Sequence, residues 1–169
     1  TYLLNDRLKL KAAWGQYHQF ATRIIREDIQ QGSRDFWLLA DDENVPISYA
    51  EHFIAGISYE TPKYLFDVEG YYKNLDGLSE YTTRFTPSGR GPNRSLNYDE
   101  FFYQGTGVAK GIEFLAQKKS GALTGWLGYT LGEVKYDFEV FGDEPFLANQ
   151  DQTHELKLIL SYKLKNWNF

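Results

Sequence analysis

Between Leu65 and Tyr81 the chain reads LFDVEGYYKNLDGLSEY, and its positions sort by twos. Phe66, Val68, Gly70 and Tyr72 fall on one side; Asp67, Glu69, Tyr71 and Lys73 fall on the other. A period of two is the mark of a β-strand whose faces meet different surroundings. Five more stretches repeat it. From Arg7 to His18, Leu8, Leu10, Ala12 and Trp14 oppose Arg7, Lys9, Lys11 and Ala13. From Ser48 to Glu60, Phe53, Ala55, Ile57 and Tyr59 oppose His52, Gly56, Ser58 and Glu60. Thr106 to Lys118, Ala122 to Tyr136 and Gln152 to Leu164 alternate in the same way. The first stretch is expected to run past Asp76-Gly77 to about Phe85. Ordinary strands have about five or six residues. These are roughly twice that, near the 9–11 residues of a tilted strand that crosses a membrane.

The connections sort by length. Thr61-Pro62-Lys63-Tyr64, Lys119-Ser120-Gly121 and Lys165-Asn166 read as tight turns, near 61-64, 119-121 and 165-166. Long loops are expected near 19-47, 86-105 and 137-149. Short and long alternate strictly, as periplasmic turns and extracellular loops do in an up-and-down outer-membrane barrel. The faces permit two readings. In a soluble sandwich the apolar face is the core and the charged face meets water. In a barrel with a wet bore the apolar face meets lipid. Strand length and loop sorting favour the barrel, as does the placing of the rings. Tyr59, Tyr64, Phe66, Tyr162 and Trp167 lie by the tight turns, while Trp14, Tyr17, Tyr72 and Tyr129 lie toward the long loops. They form two belts at two headgroup levels. Lys110 is the charge that breaks the apolar face, near a strand's outer end. Six strands do not close a lipid-facing barrel, and an open edge in hydrocarbon leaves backbone groups unpaired. The chain therefore reads as one arc of a larger barrel. Phe169 could be a terminal aromatic of the kind outer-membrane proteins carry, but Lys165-Asn166 as a turn makes Trp167 to Phe169 the start of a seventh strand.

Composition trims the alternatives. The net charge of -5 and the lack of a basic stripe argue against a nucleic-acid partner. There is no Cys, hence no disulfide framework and no thiol chemistry. There is also no Met, and the start reads as mid-structure, so a processed product or fragment is expected. A mean hydropathy of -0.52 looks soluble, but barrel strands carry a weak signal per segment.

Four stretches resemble a known family. VEGYYKNLDGLSEY (Val68 to Tyr81), GTGVAKGIEFLAQKKSGALTGWLGYTLGE (Gly105 to Glu133), NQDQTHELKLILSYKLKNW (Asn149 to Trp167) and FWLLADDENVPISYAEHFIAGISYE (Phe36 to Glu60) look like consecutive barrel strands of TonB-dependent outer-membrane receptors, notably of the Bacteroidetes type. The resemblance covers nearly the whole chain, in order. It implies an antiparallel barrel of about 22 strands, of which this chain supplies six. It implies active import of a scarce nutrient (siderophore, glycan, peptide or vitamin complex) across the outer membrane of a Gram-negative cell. Import in that family is driven by the TonB complex acting through a plug domain that these residues do not include. It leaves open a surface lipoprotein as a further partner. The alternatives are a soluble all-β module binding a carbohydrate-type ligand and an outer-membrane hydrolase.

Candidate sites are few. Exposed rings beside hydrogen-bonding groups suit ligand contact. On that ground Arg34, Phe36, Trp37 and Asp41 in one loop, with Arg94, Tyr98 and Phe101 in the next, are the candidate ligand-binding residues. FFYQGTG (Phe101 to Gly107) reads as the start of a strand. His18, His52 and His154 do not converge with carboxylates, and neighbours such as Glu51 and His52 point to opposite faces. DQTH (Asp151 to His154) is expected to hydrogen-bond at the outer rim. Asp67, Glu69 and Glu113 with Lys9, Lys11, Lys73, Lys157 and Lys163 read as cross-strand charge pairing. Gly89 and Gly91 lack the spacing of a phosphate loop. No catalytic residue, metal or cofactor is expected.

Overall fold

The protein is described by a computed structural model covering residues 1–26, 34–41, 45–88, 95–142, 144–164 and 167–168, with side chains described for these except 24–26, 34–36, 81–88, 95–101 and 167–168. It is an all-β chain built on one antiparallel meander. A short β1 (Tyr2–Leu3) leads into β2 (Leu8–Gln19), and a separate hairpin follows from β3 (Ala21–Arg26) and β4 (Arg34–Leu39). Then come β5 (Ser48–Glu60), β6 (Tyr64–Ser88), β7 (Ser95–Lys118) and β8 (Leu123–Asp137). A single 3-10 turn at Glu139–Phe141 precedes β9 (Phe146–Leu147), β10 (His154–Leu164) and β11 (Trp167–Asn168). The main sheet runs β1-β2-β5-β6-β7-β8-β10-β11, with β9 beside β8.

All six alternating stretches are strands, and Trp167–Asn168 pairs back on β10 as the start of a further one. The tight turns are fixed by short polar side chains. Thr61 Oγ1 accepts the Tyr64 N–H at 2.9 Å, and Thr61 N–H donates to Tyr64 O at 2.8 Å. Pro62 between them holds φ near its turn value. Asn5 Oδ1 accepts N–H groups of Arg7 and Leu8 at 2.9 Å, closing a β1–β2 turn the sequence reading did not name. Gly121, at φ +111, bends the β7–β8 turn.

The other end differs from the expected plain loops. Residues 86–88 and 95–105 continue β6 and β7, so that connection is a long hairpin. The stretch 19–47 carries the β3–β4 hairpin, and 137–149 carries the 3-10 turn and β9. Thr, Tyr, Phe and Leu between Glu80 and Phe102 pair across the hairpin. The Gly, Pro and Arg of its tip outweighed that pattern in the sequence reading.

Cross-strand register turns alternation into rows. On the apolar face one row reads Leu8–Tyr59–Phe66–Ala116–Leu127–Leu158, and the next reads Leu10–Ile57–Val68–Phe114–Tyr129–Leu156. A third reads Ala12–Ala55–Gly70–Ile112–Leu131–His154. Charges stand only beyond these rows. Below is Lys118, opposite Tyr64; above are Lys110 opposite Tyr72, then Glu133, Lys135 and Glu51. Lys110 is thus not the lone exception: its Nζ lies 3.3 Å from Glu133, which also meets Lys135 at 3.1 Å. Trp14 Nε1 donates to Glu51 Oε1 at 3.0 Å at the same level. Tyr17, by contrast, lies on the polar face, beside His52.

The polar face holds its charges in pairs. Lys11 meets Asp67 at 2.7 Å and Glu69 at 3.4 Å, Lys9 meets Glu60 at 2.8 Å, and Lys157 meets Glu155 at 3.0 Å. Glu60, at the tight-turn rim, also accepts from Lys119, and the Lys119 and Lys9 ammoniums hold its carboxyl down to about 2. Above these rows Tyr71 lies across Gly111 and Gly132: a Cβ there would come within 2.6 Å and 2.8 Å of its hydroxyl.

The apolar face is uncovered. Leu156, Leu158 and Leu160 are 66%, 56% and 58% exposed, and no second sheet lies on them among the described residues. Among the described residues the buried apolar ones are Val45, Ala109, Phe138 and Ala148, far short of an interior for a chain this long.

Gly125 sits in the apolar face at φ +153, and a Cβ there would meet Ile159 O at 2.2 Å. Gly125→Ala should therefore cost about 1–3 kcal/mol, read as a lowered urea midpoint, with Gly121→Ala in the adjoining open turn losing less.

Candidate functional site

At the end opposite the tight turns the polar face opens into a cleft, and a β-bulge makes it. Between Leu75 and Leu78 the β6–β7 register shifts, with Gly77 at φ +66. Asp76 Oδ1 accepts the Gly77 N–H at 2.8 Å, and Ser48 Oγ donates to Gly77 O at 2.9 Å. A left-handed φ here requires glycine, and a Cβ would also strike Ile47 O at 2.7 Å. The extra residue exchanges the faces: even positions, outward below the bulge, turn to the polar side above it, so Leu78 and Glu80 join Leu75.

The resulting cleft is about 360 Å³ and is lined by Tyr17, Gln19, Ser48, Leu78, Glu80 and Tyr136. Thr22 of β3 reaches it, because β3 folds against β6. The Tyr136 hydroxyl accepts from Gln150 Nε2. Phe138 closes the floor. It is 2% exposed and packs its ring against Phe141 at 5.6 Å and Phe146 at 6.3 Å, with Tyr103 against Phe141 at 5.9 Å. Gly105 leaves room for that ring; a Cβ would lie 2.6 Å from Phe138 Cδ1. The cleft offers hydroxyls, an amide, rings including the His18 imidazole, and the carboxylates of Asp76 and Glu80, with no Lys or Arg among the described residues of its lining. Desolvation raises the Glu80 carboxyl above its ordinary value, although the side chain keeps part of its surface in water. Such a lining can hold a polar, uncharged ligand by hydrogen bonds and ring stacking.

DQTH hydrogen-bonds at this rim. Asp151 Oδ1 accepts the Val134 N–H at 2.7 Å, Thr153 Oγ1 donates to Asp151 Oδ2 at 2.9 Å, and His154 Nδ1 lies 2.8 Å from the Tyr129 hydroxyl. Glu51 and His52 do face opposite ways, Glu51 toward Trp14 and His52 toward Tyr17. Among the described residues no group of three or more His, Asp or Glu side chains could hold a metal ion.

Of the seven candidate ligand residues, two have described side chains. Trp37 is 68% exposed on the β3–β4 hairpin, across from Arg23. Asp41 accepts the Val45 N–H at 2.9 Å, a loop-closing role. Arg34 and Phe36 lie in β4, and Tyr98 and Phe101 in β7, by backbone; their side chains, and Arg94 altogether, lie outside the described residues. Trp37 and Asp41, the two whose side chains are described, do not line the cleft. Of the residues that do, Tyr17 and Tyr136 fall in stretches expected as strands, and Gln19 at the start of an expected loop. The signal that could have found them is Asp76-Gly77, a bulge dipeptide inside a strand pattern.

No family model, curated protein or solved structure matches the chain.

Phe138→Ala should cost about 3–5 kcal/mol as a buried aromatic truncation and expose residues 139–150 to limited proteolysis, whereas Val140→Ala, half-exposed nearby, should leave the digestion pattern unchanged.

Proposed function

We propose that this chain is part of the wall and mouth of an outer-membrane β-barrel, one arc of a TonB-dependent importer, and that it is not itself an enzyme. The observation that carries the barrel reading is the bare apolar face. Rows of Leu, Ile, Val and Phe stay open to the surroundings while salt-bridged residues fill the opposite face. In water such a face would be a large liability; against hydrocarbon it is the expected surface. Its height agrees. Lys118 and Lys110 bracket the uncharged rows on one strand face, eight residues apart, and at about 3.3 Å per residue that is roughly 26 Å along the strand. At a tilt of about 35–45° this is roughly 19–22 Å of height, a few ångströms under the apolar band of about 25 Å, which the long Lys stems can bridge. Trp14, Tyr72 and Tyr64 stand at its borders, where rings favour headgroups, whereas Tyr129, expected toward the long loops, lies in the middle row.

The edges support an arc. Among the described residues β2 pairs with β1 at Leu10 and Lys9, and β10 pairs with β11 at Lys163 and Leu164. Both edges invite neighbouring strands, since unpaired backbone in lipid costs several kcal/mol per group. The importer assignment rests on the sequence resemblance, together with a ligand-sized cleft at the mouth. Energy coupling would then belong to a plug and a TonB-contacting segment outside these residues. This arc would guide a polar nutrient past the Tyr17–Tyr136 cleft.

Leu158→Arg should cost about 2–4 kcal/mol of folding stability in lipid vesicles, while Lys157→Ala, facing the bore, should cost far less; equal, small effects would return the apolar face to water. Trp37→Ala should lower nutrient uptake by cells several-fold while heat-modifiable migration, the gel signature of an assembled barrel, is unchanged. Undiminished uptake would place Trp37 among the structural residues.

A further inference from the structure

The two charged ends of the apolar face are unlike. At the upper end both lysines of the face, Lys110 and Lys135, have a carboxylate partner in Glu133. At the tight-turn end Lys118 and Lys63 have no carboxylate partner among the described residues, while Lys9 and Lys119 there are both taken by Glu60. The two unpaired lysines belong to adjoining turns, tied by Lys119 N–H donating to Lys63 O at 2.8 Å. Lys118 lies on the apolar face, in the row Tyr64–Lys118–Gly125–Leu160.

A groove of about 240 Å³ rises from Lys118 into the apolar face. Its floor is Ala116 and Gly125; its walls are Phe66, Leu127, Leu158 and Leu160. The floor cannot fill, because a Cβ at Gly125 would collide with Ile159 O. The groove is thus a slot in hydrocarbon-facing surface whose lower end is a cation on a flexible stem. A second cation follows on the next turn. Long Lys stems at a membrane border let the ammonium reach the headgroup level.

We propose that this groove holds one acyl chain of an anionic phospholipid, whose phosphodiester is held by the Lys118 and Lys63 ammoniums. The proposal rests on the membrane-wall reading above. The chemistry selects the ligand. Two uncompensated ammoniums at headgroup depth favour a head with net negative charge over a zwitterionic one, whose own cation they would repel. A slot lined by methyl groups and rings favours a saturated chain over a free headgroup. The site would fix a lipid on the turn side, with its chain lying on Ala116 and Gly125.

The test is native mass spectrometry of the purified protein in detergent, titrated with phosphatidylglycerol or phosphatidylcholine. Wild type should retain phosphatidylglycerol at least tenfold over phosphatidylcholine, and the double variant Lys63→Ala/Lys118→Ala should bring the two within twofold. Ala116→Leu should lower retention of both lipids without changing the headgroup preference. Lys163→Ala, on the polar face, should behave as wild type. Heat-modifiable migration reports folding of every variant. The proposal is overturned if the folded double variant keeps the wild-type preference, if wild type shows none, or if excess glycerol phosphate displaces the lipid as well as phosphatidylglycerol does. A protein that still requires detergent in those cases leaves the wall reading standing; one that stays soluble and monodisperse without detergent removes both readings.

Discussion

A slip of one residue between β6 and β7 would carry Phe66, Val68 and Tyr72 to the side now held by Asp67, Glu69 and Lys73. Because side chains alternate along a strand, register decides the character of both surfaces at once. The pairing from Tyr64↔Lys118 to Leu75↔Gly107 is unbroken, and the neighbouring ladders keep the same phase. Charges on one face reinforce that phase, since Lys11 can meet Asp67 and Glu69 only when β2, β5 and β6 are aligned as observed. Each such pair is worth little in water. A misregistered sheet, however, would place all of these charges among leucines.

The polar face also shows how the sheet tolerates large rings where it bends. Tyr71 lies over Gly111 and Gly132, Tyr136 beside Gly107, and Phe138 against Gly105. Each glycine removes the side chain that would have held the ring away from the backbone. Aromatic groups thereby cover glycines that would otherwise weaken their strands. This is a division of labour between faces: the apolar one presents its rings outward, and the polar one folds rings such as Tyr71 and Phe138 onto glycines of the wall.

Much of this was legible in the residues. The six long strands follow from a period of two sustained over ten or more positions, and turn residues such as Pro62 and Gly121 mark one end plainly. The DQTH contacts were also readable, because Asp and Thr seek nearby backbone and side-chain partners. The mouth was less so. Asp76-Gly77 could equally mark a turn or a bulge, and only the pairing of Leu78 with Gly105 shows that the faces exchange there. The β3–β4 hairpin is short, and its alternation is too brief to stand out from a polar loop. The partners of Lys110 were hidden for a different reason: Glu133 is on another strand, and a single sequence does not disclose which row two strands share.

The bulge separates two kinds of freedom. Below it, any change in length would invert the wall, so that part of β6 is held to a fixed count of residues. Above it, β6 and β7 form an arm joined to the rest mainly by its own ladder. Adding or removing one residue from each strand of that arm would lengthen or shorten the mouth and leave the wall's phase intact. Variation among descendants of this chain is thus free to act on reach and shape at the tip, in matched increments, while the junction at Gly77 stays constant.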